Sequence, residues 1–144
     1  MSLLFLGMNL FAQKENLAWF TDLTEAKTYA TKNQADIMMV FAGSDWCKPC
    51  IQFKKDILLS EDFSKYAEGK MAVLYLDFPA RKKNRLSEEQ TVHNEALAEK
   101  YNRSGVFPKI LVVDADENII SSPEFKGQPA GKFVRTLEET MVVK

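Results

Sequence analysis

The sequence predicts an α/β fold with a central mixed sheet of four to five strands and helices on both of its faces. Two apolar runs, residues 37–42 and 71–78, lack alternation, which is typical of strands buried on both faces. Segments with helical spacing separate the early strands, which implies parallel pairing with right-handed crossovers. A short turn joins residues 110–113 to a weaker strand at residues 119–120, so the sheet is expected to end in an antiparallel hairpin.

Capping residues and apolar spacing locate the helices. Asp22 begins one over residues 22–32 and Ser87 begins another over residues 87–101, each with a Glu or Gln three positions on. Pro129 opens the last helix, and a further helix begins within a cysteine-containing turn. The side chains expected to face the core are Cys50, Phe53 and Ile57 after that turn, Val92, Ala96, Leu97 and Tyr101 in the helix after Ser87, and Phe133, Val134, Leu137 and Met141 in the last helix.

Composition argues against several classes of function. The 144 residues carry 19 Lys and Arg against 20 Asp and Glu, so the formal net charge of −1 favours neither nucleic acid nor an anionic membrane as partner. No apolar stretch reaches the roughly 20 residues that a membrane-spanning helix needs. Hydrophobic residues make up 46% of the chain, enough for the core of one domain, which we assign to residues 14–144.

Residues 1–13 differ from the rest because they are apolar and uncharged. Their length matches the apolar region of a secretory signal, and Ala12 before Gln13 is an acceptable cleavage site. The basic residues that normally precede this region are missing, so we interpret the segment as a shortened signal peptide. The alternative is a short native strand or helix that covers the core. The first interpretation predicts export, to the periplasm or otherwise to the bacterial cell envelope.

The only two cysteines, Cys47 and Cys50, lie three residues apart where a buried strand meets a helix. Unpaired amide groups and the helix dipole stabilise negative charge at a helix start, so Cys47 is expected to ionise readily and to attack a substrate disulfide. Cys50 lies one turn further on the core-facing side, from which it can resolve the mixed disulfide. Lys48 also favours the thiolate.

A lower thiol pKa mainly affects the redox equilibrium. A fall from about 8.5 to about 7 raises the thiolate fraction at pH 7 roughly 16-fold. The same fall in pKa lowers the intrinsic nucleophilicity of the thiolate roughly 5-fold, so the net gain in the rate of attack is only about 3-fold. One pKa unit corresponds to about 1.4 kcal/mol, or about 30 mV for a two-electron couple.

Three other uses of the cysteines stay open on the residues alone. A structural disulfide over so short a separation would constrain the unfolded chain little. A zinc site needs four ligands, and the one remaining candidate is the single histidine, His93. A cysteine hydrolase would pair a thiol with His93, which we expect to be an exposed residue of a helix. Neither a metal nor another cofactor is therefore expected.

These motifs resemble the thioredoxin superfamily, over roughly residues 18–143. Residues 41–50 (FAGSDWCKPC) look like the strand, tryptophan and Cys-x-x-Cys of that family. Residues 105–109 (GVFPK) look like its second signature, in which the proline is cis. The resemblance implies a thioredoxin fold, in which Cys47 is the nucleophile and Cys50 the resolving thiol.

Shorter motifs are similar to a subgroup of exported bacterial thioredoxin-like proteins, which includes periplasmic disulfide reductases and proteins called isomerases. These motifs are residues 43–47, 76–79 and 94–101. By this resemblance Pro108 lies against the cysteines, and Phe107 presents its backbone to an extended substrate. Trp46 either shields the pair or packs in the core. Pro49 matches the reducing members of the family.

The sequence departs from the family at one buried pair. Thioredoxins place an Asp on the strand before the motif and a Lys on the next strand, where this chain has Val40 or Phe41 and Tyr75. The joint loss is physically reasonable, because a lone buried charge is costly. Water or the Tyr75 hydroxyl is then expected to accept the proton of Cys50.

The function expected is a periplasmic protein disulfide reductase, with protein thiols and disulfides as substrates and a membrane-bound electron donor. The alternatives are a disulfide isomerase or oxidase and, in another class, a binding module without redox activity. Asp45 either tunes Cys47 or caps a turn. Residues 81–85 carry four basic groups, which form a solvated loop or steer an acidic partner.

Overall fold

The computed structural model describes residues 17–141, which form one sheet with helices on both faces. The segment interpreted as a signal, residues 1–13, lies outside the described residues. No helix within residues 17–141 has the length and apolar character needed to cross a membrane. The elements in chain order are β1 (Ala18–Phe20), α1 (Leu23–Asn33), β2 (Asp36–Ala42), α2 (Lys48–Phe53), α3 (Glu61–Ala67), β3 (Met71–Asp77), α4 (Glu88–Tyr101), β4 (Lys109–Val113), β5 (Ile119–Ser121) and α5 (Ala130–Met141).

The sheet has five strands in the order β1-β3-β2-β4-β5. Strand β3 pairs in parallel with β1 and with β2, whereas β4 is antiparallel to β2 and β5 is antiparallel to β4. Helices connect the parallel strands, and a short turn connects the final antiparallel pair. The predicted α/β class, the mixed pairing and the strand number are confirmed.

Strand β2 is buried along its whole length because helices cover both faces of the sheet. Its even-numbered residues Met38, Val40 and Ala42 share a core cluster with residues of α2, α3 and α5, and this cluster contains both cysteines. Its odd-numbered residues pack on the opposite face with residues of α1 and α4. Alternation along one strand therefore separates the cysteine side of the molecule from the other side.

Two residues of α4 that were predicted to face the core are exposed. Val92 is 59% exposed and Ala96 is also exposed, whereas Asn94 and Leu97 are 2% and 7% exposed. The inward stripe therefore follows positions 94, 97, 98 and 101, which have helical spacing. The prediction was wrong because a polar residue, Asn94, occupies a core-facing position and hid the true stripe.

The helix that begins at the cysteines was predicted, whereas the helix that follows it, α3, was not. Helix α2 continues as a π-helical turn over Lys54–Leu58. Ser60 then caps α3, because its hydroxyl accepts the backbone N–H of Phe63 at 3.1 Å. Ser60 followed by two acidic residues is the sequence signal that marks this start. The residues predicted to share a buried face after the turn are buried, namely Cys50, Phe53 and Ile57.

The expectation that His93 is an exposed helix residue is wrong. Its side chain is only 22% exposed, and its Nε2 accepts the backbone N–H of Leu23 at 3.0 Å. The ring proton therefore belongs on Nδ1, which donates to Oδ1 of Asn94 at 2.8 Å. These contacts make His93 a link between α4 and the first turn of α1. The cysteine hydrolase alternative would instead need His93 beside a thiol.

We expect Leu97→Ala and Val92→Ala to separate the two faces of α4. Truncation of the buried leucine should lower the free energy of unfolding by about 2–4 kcal/mol, because it removes buried methyl groups and leaves a cavity. Truncation of the exposed valine should change it by no more than about 0.5 kcal/mol. Urea unfolding of both variants measures this, and equal losses would contradict the observed orientation of α4.

Candidate active site

Cys47 and Cys50 form a disulfide at the start of α2, with their Cα atoms 5.2 Å apart. Cys47 is the N-cap residue of this helix, and its sulfur accepts the backbone N–H of Cys50 at 3.3 Å. This N–H is one of the groups at a helix start that lack a partner within the helix. The same donor would stabilise a thiolate on Cys47 once the disulfide is reduced.

The two cysteines differ in burial in the order expected. Cys47 retains 5% of its surface and Cys50 only 1%. The residues around the first sulfur, Trp46, Lys48 and Pro49, are exposed. Cys47 is therefore the cysteine nearer to the surface, while Cys50 faces the core.

Three successive residues, Ser44, Asp45 and Trp46, take part in hydrogen bonds that hold the turn before Cys47 against the end of β3 and the segment that follows it. Ser44 donates to the carboxylate of Asp77 twice, from its backbone N–H at 2.9 Å and from its hydroxyl at 2.6 Å. The indole N–H of Trp46 donates to the carbonyl oxygen of Phe78 at 2.8 Å. The turn is thus held both by these contacts and by its own hydrogen bonds, in which the N–H groups of Trp46 and Cys47 donate to the carbonyl oxygen of Gly43.

Asp45, between Ser44 and Trp46, binds the loop over residues 80–84. Its carboxylate accepts the backbone N–H groups of Ala80 at 2.8 Å and Arg81 at 2.9 Å, and the side-chain amide of Asn84 at 3.0 Å. Hydrogen bonds from Ala80, Asn84 and Arg81 lower the pKa of Asp45 to about 2. Asp45 caps the loop over residues 80–84, which is the structural one of its two predicted roles.

Trp46 lies on the surface beside Phe107 and is not part of the core. It is 50% exposed, and its ring centroid is 5.4 Å from that of Phe107 in an edge-to-face arrangement. Gly43 makes this position possible, because a Cβ atom there would overlap the indole ring. The pair forms an aromatic wall next to Cys47.

Pro108 precedes β4 directly, and its peptide bond with Phe107 is cis. Lys109 pairs with Phe41 of β2, so Pro108 lies at the level of Ala42, where β2 ends and the turn before the cysteines begins. Phe107 packs partly against the core cluster that contains both cysteines. The sheet thereby brings together two motifs that are about 60 residues apart in the sequence.

Val40 and Tyr75 occupy neighbouring positions on the cysteine side of the sheet. They are paired in the register of β2 and β3, and both belong to the cluster with the cysteines, whereas Phe41 points to the opposite face. Tyr75 is 7% exposed. Burial, followed by the charge of Asp77, raises its pKa to about 12.

Lys54, four residues after Cys50, was not among the residues predicted for the site. Its ammonium is 5.1 Å from the ring centroid of Tyr75 and 5.6 Å from that of Trp19. The two rings are themselves stacked, with centroids 5.1 Å apart. The spacing of four from Cys50 could have indicated this position, since residues i and i+4 share a helix face.

Asn94 was also overlooked as a structural residue of the site. Its amide donates to the carbonyl oxygen of Asp77 at 3.0 Å, and its Oδ1 accepts from the Gln90 side chain at 2.8 Å. Asp77 in turn binds Ser44, so helix α4 is connected to the turn before Cys47. A polar residue within an inward stripe was the available sequence signal.

Within residues 17–141, no three His, Cys, Asp or Glu side chains are grouped in a way that would hold a metal ion.

A sequence profile described as thioredoxin-like matches residues 18–115 of the chain. Among curated proteins, the disulfide bond reductase DsbH of Chlamydia pneumoniae is 29% identical over 129 residues, which cover 90% of this chain and 75% of that protein.

Solved structures show the same relationship. A DsbH oxidoreductase structure superposes with a TM-score of 0.79 at 28% identity, covering 90% of this chain and 87% of the other. A thioredoxin from Thermus thermophilus superposes with a TM-score of 0.64 at 19% identity, covering 88% of each chain. The second similarity concerns the fold alone.

We expect Asp45→Asn to weaken the fold in a pH-dependent way. Because the pKa of Asp45 is lowered in the folded chain, from 3.8 to about 2, its ionised form contributes stability above pH 4 to 5, and this contribution disappears as the pH falls towards 2. The difference in urea midpoint between wild type and variant should therefore be largest near pH 6, shrink as the pH falls below 4 and be mostly lost at pH 2.

Asp116→Asn is the matched control, since Asp116 is an exposed aspartate of the β4–β5 turn. A difference for Asp45→Asn that does not change with pH would contradict the role of its charge.

Proposed function

Because the chain belongs to the thioredoxin-like family, we propose that it reduces protein disulfides in the bacterial cell envelope. Its class of activity is that of a thiol–disulfide oxidoreductase, which acts through a Cys-x-x-Cys pair. The observation that carries the proposal is the Cys47–Cys50 disulfide at the start of α2, in a chain similar to a disulfide bond reductase.

The proposed reaction begins with the reduced dithiol. The Cys47 thiolate attacks one sulfur of a substrate disulfide, so a mixed disulfide forms and the other substrate sulfur leaves as a thiolate. Cys50 then attacks the Cys47 sulfur, which releases the second substrate thiol and restores the Cys47–Cys50 disulfide. Two electrons pass to the substrate, and the leaving thiolates take up protons.

The aromatic wall and the strand end beside it would hold the substrate. Trp46 is exposed next to Cys47 and contacts Phe107. The backbone of Phe107, just before β4, is available for strand-like hydrogen bonds to an extended peptide. This arrangement supports a protein substrate, whose cysteine lies within an extended segment.

The direction of transfer is inferred from two features. Pro49 matches reducing members of the family, and the DsbH relative is named a disulfide bond reductase. Lys48 acts in the opposite direction, because it stabilises the Cys47 thiolate and so makes the redox potential of the cysteine pair more oxidising. We infer that reduction is the net function, with isomerase or oxidase activity as the alternatives that a measured potential decides.

Export to the periplasm and a membrane-bound electron donor complete the proposal. Export is supported by the apolar residues 1–13 and by the similarity to exported bacterial proteins. A reductase in an oxidising compartment ends each cycle as a disulfide, so it needs a two-electron donor that regenerates the dithiol. No soluble cofactor is proposed for this step.

The redox potential of the cysteine pair is the decisive measurement. Equilibration with thiol–disulfide buffers should give a value near about −270 mV, typical of a reductant. The protein should also accelerate insulin reduction by dithiothreitol. Cys47→Ser should abolish this acceleration, whereas Cys50→Ser should accumulate mixed disulfides with substrate, because the resolving thiol is missing.

Two results would contradict the proposal. A potential near about −120 mV would indicate an oxidase. The lack of any acceleration of insulin reduction, together with thiols that never cycle, would indicate a binding module without redox activity.

We further propose that the Tyr75 hydroxyl passes on the proton of Cys50 while staying neutral. Its pKa of about 12 means that the hydroxyl does not ionise between pH 6 and 9, so it can relay a proton but cannot act as phenolate. Tyr75→Phe should therefore slow the resolution of a mixed disulfide by about 10-fold, less than a full acid–base contribution because water substitutes.

The slowing should be the same at every pH between 6 and 9, measured by rapid-quench kinetics. Tyr29→Phe is the control, since Tyr29 packs against the core on the opposite face of the sheet. An unchanged rate, or a factor that varies with pH, would exclude the relay.

A further inference from the structure

The loop over residues 81–85 concentrates positive charge beside the cysteines. It carries Arg81, Lys82, Lys83 and Arg85, all of them exposed, although the whole chain has a formal net charge of −1. Among residues 17–141, none of these four side chains forms an ion pair within 4.0 Å. No ion pair therefore neutralises them within the described part of the chain, although the Asp45 carboxylate interacts electrostatically with Arg81.

The loop has a defined shape. A short 3-10 helix over Lys82–Asn84 gives it an internal turn, with hydrogen bonds from Asn84 N–H to the Arg81 carbonyl oxygen at 3.0 Å and from Arg85 N–H to that of Lys82 at 3.2 Å. The carboxylate of Asp45 binds both ends of the turn, at Arg81 and at Asn84. The charged side chains thus extend from a fixed backbone, which lowers the entropy lost when a partner binds.

The position of the loop relates it to the reacting sulfur. Asp45 lies two residues before Cys47 in the same turn, so the residue that holds the loop also belongs to the site of disulfide exchange. The indole N–H of Trp46 donates to the carbonyl oxygen of Phe78, three residues before the loop begins at Arg81. A peptide bound at Cys47 and Trp46 therefore has the basic loop next to it.

A cavity of about 270 Å³ lies between the loop and α4. Arg81, Lys82 and Arg85 line it from the loop, and Asp77 and Glu95 line it from the other side. The carboxylate of Asp77 is already bound by Ser44. The lining thus has three positive and two negative side chains, an excess of one positive charge. This excess would favour the binding of a further carboxylate, carried by a flexible side chain.

We propose that the loop over residues 81–85 binds an acidic segment of the substrate protein, next to the disulfide that Cys47 attacks. This rests on the proposed function, because it names a class of substrate for the same site. A polypeptide is favoured over other polyanions because the substrate cysteine itself brings peptide to the aromatic wall. Opposite charges at such a surface raise association rates about 10-fold to 1,000-fold, and salt screens the effect.

The test compares two synthetic peptides with the same central disulfide, one flanked by four glutamates and the other by four glutamines. Wild-type protein should reduce the acidic peptide with a kcat/KM at least about 10-fold higher at low salt. The ratio should fall as the ionic strength rises from about 0.01 to 0.15 M, where the Debye length shortens from about 30 to 8 Å.

The loop variant is R81Q/K82Q/K83Q, which removes three charges and keeps the backbone N–H groups and the Asn84 side chain that Asp45 binds. It should lower the preference for the acidic peptide to about 3-fold or less. The matched control K32Q/K132Q/R135Q also removes one arginine and two lysines, all exposed and on α1 and α5. It should keep the wild-type preference.

A binding measurement separates this proposal from the proposed function. Fluorescence anisotropy of a labelled acidic peptide without cysteine, added to the oxidised protein, reports docking even if no disulfide is ever reduced. Equal affinities of the loop variant and the control variant would overturn the proposal. Tighter binding of anionic vesicles or of an oligonucleotide with the same charge would assign the loop to another partner and overturn it as well.

Discussion

The structure of the site depends on the hydrogen bonds that join residues 44–46 to the end of β3 and the segment after it. Ser44 binds Asp77 at the end of β3, Asp45 and Trp46 bind the segment that follows it, and the chain enters α2 immediately afterwards. A turn held in this way presents Cys47 at the N-cap, where the amide of Cys50 faces its sulfur. The chemistry of the pair thus follows from a contact between two loops, each placed by its own strand.

The interior beside Cys50 lacks the Asp and Lys pair that the resemblance to thioredoxins would suggest. Its polar groups are the Tyr75 hydroxyl and the Lys54 ammonium. Val40 and Tyr75 stand where the resemblance would place an ionisable pair, so neither position carries a buried carboxylate that would have to be compensated. Lys54 places its charge over the stacked rings of Tyr75 and Trp19, a cation–π arrangement at the half-buried edge of the core. Proton movement from Cys50 is therefore expected to involve neutral groups and water.

Two predictions, for α4 and for His93, failed for a common reason, which is that polar residues serve as internal links. Asn94 faces inward to bind Asp77, so the apolar pattern of α4 wrongly indicated Val92 and Ala96. His93 binds the start of α1, although a lone histidine on a helix suggested solvent exposure. The helix that Ser60 caps was missed because the preceding π-helical turn shifts the helical spacing. Hydrogen bonds between distant segments leave no periodic signal in the sequence.

The sequence by itself determined the class of fold, the strand order along the chain and the cysteine pair, because burial, helix caps and residue spacing are local properties. Tertiary structure alone decided which of Val40 and Phe41 faces the cysteines, since the register of β2 with β3 sets the direction of each side chain. It also decided that Asp45 holds the basic loop beside Cys47, because that contact joins residues about 35 positions apart. Such pairings depend on how the strands meet, which no single segment encodes.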